Sequence, residues 1–304
     1  MSARTESPQQ TKEQLNMSVG FIGLGYMGQG MADNLLAKGA DPVVYTRTQS
    51  KIEAMIDRGA KGASSSSDLV SKVDVVLACL PSVQTSLDVI VGEVIPACEP
   101  GQIIVDHSTV DIGTSRTCAA AAEAKGAMFI DAPISGGPTG AAAGTLAIMC
   151  GGSEEAFTKA LPYFELMGAN VRHMGQNGAG TAMKLINQLL VGINTVAAAE
   201  AFALANAAGV DIEVAGELLS VAWGGSAMVE RSTPITAARD FENSAAPVRN
   251  LDKDMGIIKD LAKAENLSLE LAIKSEELFH AMMDNDWGEN DIAGVLEIIE
   301  ARSA

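Results

Sequence analysis

The stretch that decides the fold is residues 18–28, which read Ser18-Val19-Gly20-Phe21-Ile22-Gly23-Leu24-Gly25-Tyr26-Met27-Gly28. Its apolar start predicts a buried strand, and the G-x-G-x-x-G pattern predicts a tight turn followed by a helix. Glycines there permit the turn, the close approach of a pyrophosphate to the backbone, and close packing of the helix on the strand. Unpaired N–H groups and the dipole at the helix N-terminus favour the phosphate charge. The predicted dinucleotide-binding residues are Gly23, Leu24, Gly25, Tyr26, Met27 and Gly28.

Short apolar runs recur along the first half of the chain and alternate with longer stretches rich in Ala, Leu and Met. The runs are residues 18–24, 42–46, 73–80, 102–107, 127–132, 145–150 and 170–173. They are bounded by Gly, Pro, Ser or Asp, which is typical of buried strands in β-α-β units. Crossover connections between such strands require a mainly parallel sheet with helices on both faces. We therefore predict an α/β protein with an N-terminal Rossmann-type, doubly wound sheet.

The second half of the chain shows no strand pattern after Gly180. Residues 181–209 keep a helical pattern and end at Gly209, a residue type common at helix C-termini. A helix of that length would span about 40 Å, which is too long for a Rossmann crossover and long enough to join two domains. We expect an all-α C-terminal domain after it. The predicted division is a disordered tail over 1–16, a dinucleotide-binding domain over 17–180 and a substrate and oligomerisation domain over 181–304.

Composition limits the partners and the location of the protein. Its 304 residues carry 21 Lys and Arg against 38 Asp and Glu, a formal charge of −17. This excess of acid disfavours nucleic acid and anionic membranes as partners. No stretch of about 18 uncharged apolar residues occurs, so no membrane span is predicted. The 4 cysteines form no C-x-x-C pair and no histidine stands at metal-ligand spacing. We therefore expect no disulfide framework, no metal site and a cytoplasmic location.

The end of the second predicted strand indicates which dinucleotide binds. Thr46, Arg47 and Thr48 follow that strand, and none of them is the carboxylate that would bond the ribose 2′-OH of NAD. Arg47 could instead pair with a 2′-phosphate, supported by the threonine hydroxyls. NADP is therefore favoured over NAD, although Arg47 could also be solvated or stack on adenine. Leu80-Pro81 and Asp106–Thr109 also follow strands and should line the cofactor cleft.

Two further segments carry candidate chemistry. The turn Ser135-Gly136-Gly137 could aim backbone N–H groups and a hydroxyl at one anion, which suggests a small carboxylate substrate. Taken alone, this segment favours the interpretation of an ordinary glycine-rich turn. Lys184, Asn187 and Gln188 share one face of the predicted long helix. A lysine near the start of so apolar a helix either extends to solvent or is functional.

At these residues the chain resembles the β-hydroxyacid dehydrogenase family, which includes 3-hydroxyisobutyrate dehydrogenase, tartronate semialdehyde reductase and threonate dehydrogenase. The resemblance covers about residues 17–300, and its motifs stand in the family's order. They are residues 20–28, Asp131–Gly137, Gly178–Gln188, Lys253-Asp254 and Asn290–Glu297. The family implies a Rossmann domain, a helical second domain that also builds the contacts of a dimer or tetramer, and a site at their junction.

The resemblance also implies roles for individual residues. Ser135, Gly136 and Gly137 would hold the substrate carboxylate, and Lys184 would be the catalytic acid/base. Thr109 and Lys253 would approach the nicotinamide end of the cofactor. The implied activity is hydride transfer between NAD(P) and a small 3-hydroxy acid or the corresponding aldehyde or keto acid.

Two positions depart from the pattern of the 3-hydroxyisobutyrate enzymes. Gln188 stands where many members have Asn, and Asn187 precedes it as in the sugar-acid branch. Ala246 stands where many members have Phe, which leaves open whether Phe241 contributes to the cofactor site. These departures favour a sugar-acid or tartronate-semialdehyde-like substrate, with Asn187 and Gln188 among the residues that bind it.

The proposed chemistry suits a lysine. Lys184 could hydrogen-bond the alcohol or carbonyl oxygen and exchange a proton with it. A lysine with the ordinary pKa of about 10.4 suits only the acid role, so action as a base near neutrality requires burial or a neighbouring cation such as Lys253.

Other interpretations remain open at the level of sequence. An imine reductase could share the architecture, although such enzymes commonly lack the lysine, and a non-catalytic relative could sense dinucleotide or serve as a scaffold. His107 beside Asp106 could be the base of a lactate-type enzyme, but a hydrogen-bonded wall residue is the favoured interpretation. Trp223 and Met228 are expected to lie in the core or at a subunit contact rather than at the substrate.

Overall fold

The computed structural model of the chain describes residues 15–303. It divides the chain into two compact units, one ending at Lys184 and the other beginning at Leu185. The predicted disordered tail lies outside the described residues apart from residues 15 and 16. Leu15 already packs against the core of the first unit, as does Met17.

The first unit is built on one nine-stranded sheet. Its strands are β1 (Val19–Ile22), β2 (Val43–Tyr45), β3 (Lys61–Gly62), β4 (Val75–Ala78), β5 (Ile103–Asp106), β6 (Met128–Asp131), β7 (Ile134–Ser135), β8 (Leu146–Gly151) and β9 (Gly168–Gly175). Their order is β3-β2-β1-β4-β5-β6-β8-β7, with β9 paired to β8. Strands β1 to β6 are parallel, whereas β8 runs antiparallel to β6 and β7. The mainly parallel Rossmann-type sheet predicted from the sequence is confirmed, and its strand order reverses between β1 and β4, where such sheets bind ligands.

The central strands explain why the sheet is covered on both faces. β1, β4 and β5 are buried along their whole length and rich in Val and Ile, as expected of parallel strands between two layers of helices. Side chains alternate between the faces, so Phe21 and Val105 join one apolar cluster and Ile22 and Ile104 join the other. The α-helices of this unit are α1 (Tyr26–Ala37), α2 (Gln49–Ile56), α3 (Ser66–Val70), α4 (Val83–Ser86), α5 (Ile95–Ala97), α6 (Ile112–Ala124), α7 (Gly137–Ala143) and α8 (Glu154–Met167), and residues Leu87–Val94 form a π-helix.

Two short strands were not predicted, and one of them changes the interpretation of Ser135. β3 and β7 have two residues each, too few to show an alternating pattern. In β7, Ser135 lies opposite Ala147 of β8. Ser135 is therefore the last residue of a paired strand, and the turn itself is formed by Gly136 and Gly137. The prediction that all three residues form the turn is therefore wrong.

The described elements after β9 are helical. They are α9 (Ala179–Ala207), α10 (Ile212–Val221), α11 (Ala227–Ala238), α12 (Val248–Ala264), α13 (Glu270–Asp284), a 3-10 turn (Ile292–Gly294) and α14 (Val295–Ser303). The predicted long helix is confirmed, and it begins and ends two residues earlier than expected. Gly209, with a φ of +74°, follows its end.

The second unit contains an ion pair with a buried carboxylate. Asp291 is 1% exposed and accepts hydrogen bonds from both terminal nitrogens of Arg231, at 2.8 and 2.5 Å. It also accepts from Ser244 Oγ at 3.1 Å, and its own N–H donates to the carbonyl of Phe241. Such pairing satisfies a carboxylate that would otherwise be costly to bury. Phe241, whose part in the cofactor site the sequence left open, is a buried core residue of this unit.

One helix among residues 15–303, α9, is long and apolar enough to cross a membrane by length and composition alone. A single helix of this kind is weak evidence for a span, because the core helix of a soluble protein passes the same test. The first turn of α9 packs against the sheet, where a Cβ added at Gly180 would lie 2.2 Å from the carbonyl oxygen of Met149. The start of α9 is therefore part of the packing of the first unit.

Candidate active site

The glycines after β1 have different surroundings. A Cβ at Gly23 would lie 2.3 Å from the carbonyl oxygen of Cys79, and one at Gly28 would lie 1.9 Å from that of Gly23. Both positions therefore require glycine for packing. A Cβ at Gly25 would meet nothing within 4 Å, so the middle glycine faces open space. Helix α1 begins at Tyr26 with no acidic residue in its first turn, and this cradle fits the pyrophosphate of a dinucleotide.

The remaining residues of this loop divide between core and surface. The Leu24 side chain is buried in the core, and the partly buried Met27 packs against the same core. Tyr26 is 82% exposed. Lys51 was not predicted to contact this loop. Its Nζ donates to the carbonyl oxygen of Leu24 at 2.8 Å. A cation from α2 thus braces the glycine loop.

The segment that follows β2 is open to solvent. Arg47 and Thr48 are exposed and Thr46 is half-buried. Strands β1 and β2 end at the same edge of the sheet, because their last residues, Ile22 and Tyr45, are paired. The Arg47 guanidinium is therefore accessible at the edge where the adenosine half of a dinucleotide would lie.

The loops after β4 and β5 are tied to each other. The Leu80 N–H donates to Ser108 Oγ at 2.8 Å, and the Ser108 N–H donates to Asp106 Oδ1 at 2.9 Å. Asp106 and Ser108 are buried, whereas Pro81 is exposed and Thr109 is half-buried. The structure thus brings these two predicted cleft loops together at the carboxyl edge of the sheet.

His107 is a buried wall residue. Its Nδ1 lies 2.7 Å from the carbonyl oxygen of Ala132, and its ring packs edge-on against Phe164 at 5.7 Å. Within residues 15–303, its Nε2 is buried and has no hydrogen-bond partner. Burial lowers the pKa of this histidine to about 4, with the bond to Ala132 acting in the opposite direction. The favoured sequence interpretation agrees with this geometry, which does not suit a catalytic base operating near neutrality.

The neutral His107 makes stability depend on pH. Because its pKa is about 4 when folded and 6.5 when unfolded, the unfolded chain binds the proton first, and stability falls as the pH drops from about 6.5 to 4. We expect this group to contribute a loss of about 3 kcal/mol over that range. Urea unfolding of the wild type and of His107→Asn at several pH values should show their difference in stability shrinking in acid. A difference that stays constant with pH would contradict this expectation.

The turn that follows β7 requires glycine. Gly136 has a φ of +133° and Gly137 a φ of +63°, conformations that side chains rarely adopt. A Cβ at Gly137 would meet nothing within 4 Å, so the backbone there faces open space. Ser135 is half-buried at the edge of this space.

The helix after this turn packs directly on the helix after the dinucleotide loop. Asn34 of α1 donates from Nδ2 to the carbonyl oxygens of Ala141 and Ala142 in α7, at 2.8 and 3.1 Å. A Cβ at Gly30 would lie 2.8 Å from the Ala142 nitrogen, so the two helices touch at their backbones. The candidate cofactor loop and the candidate substrate turn are thereby held by one rigid contact.

Lys184 lies in the second turn of α9 and is only 7% exposed. Gly178, with a φ of +94°, leads into this helix, and a Cβ there would crowd Ile112 at 3.0 Å. The lysine is thus carried by a helix whose entry is fixed by the packing of the first unit. Its burial distinguishes it from a lysine that extends to solvent.

In the second unit, Asp254 links three residues that were predicted to belong to the site. No role was assigned to Asp254 itself from the sequence. Asn187 donates to Gln188 Oε1 at 3.1 Å, and Gln188 donates to Asp254 Oδ2 at 2.5 Å. Lys253 Nζ lies 3.0 Å from Asp254 Oδ1. Asp254 is 4% exposed, and it orients both the amide pair and the neighbouring ammonium. The sequence feature that could have identified Asp254 is its position next to Lys253 in the Lys-Asp motif.

Comparison with known proteins identifies both units. The family model for the NAD binding domain of 6-phosphogluconate dehydrogenase matches residues 18–175. The model described as NAD-binding of NADP-dependent 3-hydroxyisobutyrate dehydrogenase matches residues 178–299. Together they account for almost the whole described chain.

Individual relatives match over their full length. The NAD-dependent L-serine dehydrogenase of Pseudomonas aeruginosa is 33% identical over 93% of this chain and 97% of its own. The 2-(hydroxymethyl)glutarate dehydrogenase of Eubacterium barkeri is 32% identical over 94% of this chain and 95% of its own. The crystal structure of 3-hydroxyisobutyrate dehydrogenase from Salmonella typhimurium has a TM-score of 0.85 and 31% identity, and the match covers 92% of this chain and 99% of that one.

An imine reductase from Pseudomonas sp. has a TM-score of 0.62 at 20% identity, a likeness that shows the fold alone. The relatives of 30% identity or more include an L-serine dehydrogenase, a 2-(hydroxymethyl)glutarate dehydrogenase and a 3-hydroxyisobutyrate dehydrogenase. The chain therefore belongs to the β-hydroxyacid dehydrogenase family of 3-hydroxyisobutyrate-dehydrogenase-like proteins and is an NAD(P)-dependent oxidoreductase that acts on a CH–OH group.

Proposed function

We propose that Lys184 is the general acid/base that interconverts a small 3-hydroxy acid and its aldehyde or keto acid. The nicotinamide cofactor supplies or accepts the hydride. In the reducing direction the carbonyl oxygen gains negative charge, and the Lys184 ammonium hydrogen-bonds this oxygen and gives it a proton. In the oxidising direction the amine takes the proton from the hydroxyl. The observation that carries this proposal is a buried lysine on a helix whose entry is fixed by glycine packing.

The substrate carboxylate is proposed to bind at Ser135, Gly136 and Gly137. The candidate donors are the Ser135 hydroxyl and the backbone N–H groups of the two glycines, and donors of this kind suit an anion. A Cβ at Gly137 would meet nothing within 4 Å, so open space lies beside this turn. Gly137 thereby leaves room for a ligand to approach the backbone closely. A carboxylate held here would fix the orientation of a short substrate.

The preferred substrate is proposed to be a sugar acid or a compound like tartronate semialdehyde. Asn187 and Gln188 offer amides that can bond additional hydroxyl groups, and Asp254 orients them. The names of two relatives, an L-serine dehydrogenase and a 2-(hydroxymethyl)glutarate dehydrogenase, also describe substrates with a hydroxyl group near a carboxylate. A polar amide pair favours such hydroxylated substrates over the methyl-bearing 3-hydroxyisobutyrate.

The preferred cofactor is proposed to be NADP. Arg47 is exposed after β2, with threonines on both sides and no carboxylate at positions 46–48. A guanidinium can bind a 2′-phosphate through two parallel hydrogen bonds. The descriptions of the relatives name both NAD and NADP, so this preference rests on Arg47.

Turnover of a substrate panel tests the proposed function. The panel contains glycerate, threonate, L-serine, 3-hydroxyisobutyrate and tartronate semialdehyde, each assayed with the NADP and NAD couples. We expect the highest kcat/KM with a hydroxylated acid or tartronate semialdehyde and with the NADP couple. A higher kcat/KM for 3-hydroxyisobutyrate would overturn the substrate assignment. Absence of turnover with every compound, in a protein that binds the cofactor, would overturn the enzymatic role of this site.

We also propose that the second unit associates with a second copy of this chain. Val214, Leu218 and Val221 lie on one face of α10 and are 62%, 68% and 84% exposed. Leu204 in α9 and Trp223, two residues beyond α10, are exposed as well, so Trp223 is not a core residue. An exposed apolar face of this kind favours association with another protein surface.

Charge placed on this face should break the association. We expect the double variant Val214→Glu, Leu218→Glu to be monomeric in analytical ultracentrifugation at a concentration where the wild type is a dimer or tetramer. Ile56→Glu, a matched insertion of charge at an exposed apolar residue of the first unit, should leave the wild-type mass unchanged. A monomeric wild type, or a double variant with the mass of the wild type, would contradict the proposal.

A further inference from the structure

A buried carboxylate ties the start of the Lys184 helix to β6, the strand that precedes Ser135 and the Gly136-Gly137 turn. Asp131 is the last residue of β6 and is 1% exposed. Its Oδ1 accepts the N–H of Gly178 at 2.7 Å, and its Oδ2 accepts the N–H of Thr181 at 2.8 Å. These N–H groups lie at the start of α9, where the first turn of a helix has no intrahelical acceptors. Asp131 therefore caps α9 from a distant strand.

The contact depends on a carboxylate. Two backbone donors at a helix N-terminus favour a negatively charged acceptor, and such charge-assisted bonds are stronger than neutral ones. Burial raises the pKa of Asp131, while the bonds from Gly178 and Thr181 lower it. An asparagine of the same shape has one acceptor oxygen, and its amide NH₂ would face the second N–H. It could keep only one of the two bonds.

The neighbouring packing leaves this helix start little freedom. A Cβ at Gly180 would lie 2.5 Å from the Asp131 carbonyl oxygen, and one at Gly151 would lie 2.7 Å from both the Asp131 Oδ1 and the Gly180 nitrogen. The Thr181 hydroxyl also bonds Ser115 Oγ at 2.7 Å. The backbones of β6, β8 and α9 thus touch around the carboxylate.

We propose that Asp131 is a positioning residue that fixes Lys184 relative to Ser135 and the turn formed by Gly136 and Gly137. Lys184 lies one helical turn beyond the Thr181 N–H that Asp131 binds, and Ser135 follows Asp131 by four residues. One side chain therefore sets the distance between the proton-transfer group and the carboxylate-binding turn. This inference rests on the roles proposed above for Lys184 and Ser135. A misplacement of about 1 Å between such groups can cost about 100-fold in rate.

Asp131→Asn, assayed in the full-length protein, tests the inference. We expect kcat to fall about 10- to 100-fold while the dissociation constant for NADPH changes less than about threefold, since the cofactor loop is not disturbed. Amide hydrogen exchange should become faster over residues 178–188 and stay unchanged in α1. Ser153→Ala is the matched control, because it removes the bond from Ala156 N–H at the N-terminus of α8 in the same unit. It should leave kcat and the exchange of residues 178–188 at wild-type values.

Wild-type kcat or wild-type exchange over residues 178–188 in folded Asp131→Asn would overturn the positioning role. If this variant does not fold, Thr181→Val serves in its place, because it removes the Thr181 hydroxyl that bonds both Ser115 Oγ and the Asp131 carboxylate. We expect a several-fold loss of kcat with faster exchange over the same segment, and unchanged values would overturn the proposal. Lys184→Ala separates the two claims. An inactive Lys184→Ala beside a fully active Asp131→Asn refutes the positioning role alone, whereas a fully active Lys184→Ala refutes the proposed function.

Discussion

Lys184→Ala is expected to lower kcat by at least about 10³-fold, which corresponds to about 4 kcal/mol of transition-state stabilisation. The variant loses both the proton donor and the cation beside the developing oxyanion, each of which commonly contributes about 10² or more. Steady-state rates with the best substrate of the panel, measured in both directions, check this value. The effect should appear in kcat as well as in kcat/KM, because the interaction strengthens in the transition state.

Two further measurements distinguish a loss of proton transfer from a loss of cofactor binding or of positive charge. The dissociation constant for NADPH, measured by fluorescence titration, should stay within about threefold of the wild-type value. The substitution removes an interaction made in the transition state and not one that binds the cofactor. Lys184→Arg keeps a positive charge but holds its proton at all accessible pH values, so it should restore little of the rate. A Lys184→Ala variant that folds and retains more than about a tenth of the wild-type kcat would contradict the acid/base role.

Arg47→Gln is expected to raise the KM for NADPH by about 100-fold, equivalent to about 2.7 kcal/mol, and to change the KM for NADH by less than about threefold. The loss follows from removal of a charge-assisted, bidentate contact to the 2′-phosphate. NADH has no such phosphate, so its binding should not depend on this guanidinium. Steady-state kinetics with both cofactors at saturating substrate measure the ratio.

Arg58→Gln is the matched control for this experiment. Arg58 is also an exposed arginine of the first unit, and its guanidinium pairs with Asp33 at 2.7 Å. Its replacement should leave the KM for both cofactors close to the wild-type value. An equal rise in KM for NADPH and NADH in Arg47→Gln would show that Arg47 stacks on adenine, and no rise in either would show that it is a solvated surface residue.

The sequence predicted the features that depend on local pattern. The buried strands, the glycine loop of residues 23–28 and the long helix all follow from runs of residue types over short windows. β3 and β7 were not predicted, because strands of two residues are too short to show an alternating pattern. The same limit led to the wrong placement of Ser135 in a turn rather than at the end of β7.

The contacts that the sequence did not predict join residues far apart along the chain. Asp131 meets Gly178 and Thr181, and Gln188 meets Asp254, only because the fold brings them together. No window of sequence contains both partners, and hydrogen bonds of buried side chains are set by tertiary packing. Lys51 illustrates the same point, because its bond to Leu24 depends on the register of β1 and β2.

The central claim is that Lys184 handles the proton of the reacting oxygen, and a crystal structure with NADP and a bound hydroxy acid tests it most directly. We expect the Lys184 Nζ to lie about 2.7–3.2 Å from the hydroxyl oxygen that is oxidised, the range of a hydrogen bond. The carboxylate of the same ligand should contact Ser135 and the N–H groups of Gly136 and Gly137. A complex in which the ammonium points to bulk water, with another side chain bonded to that oxygen, would contradict the account.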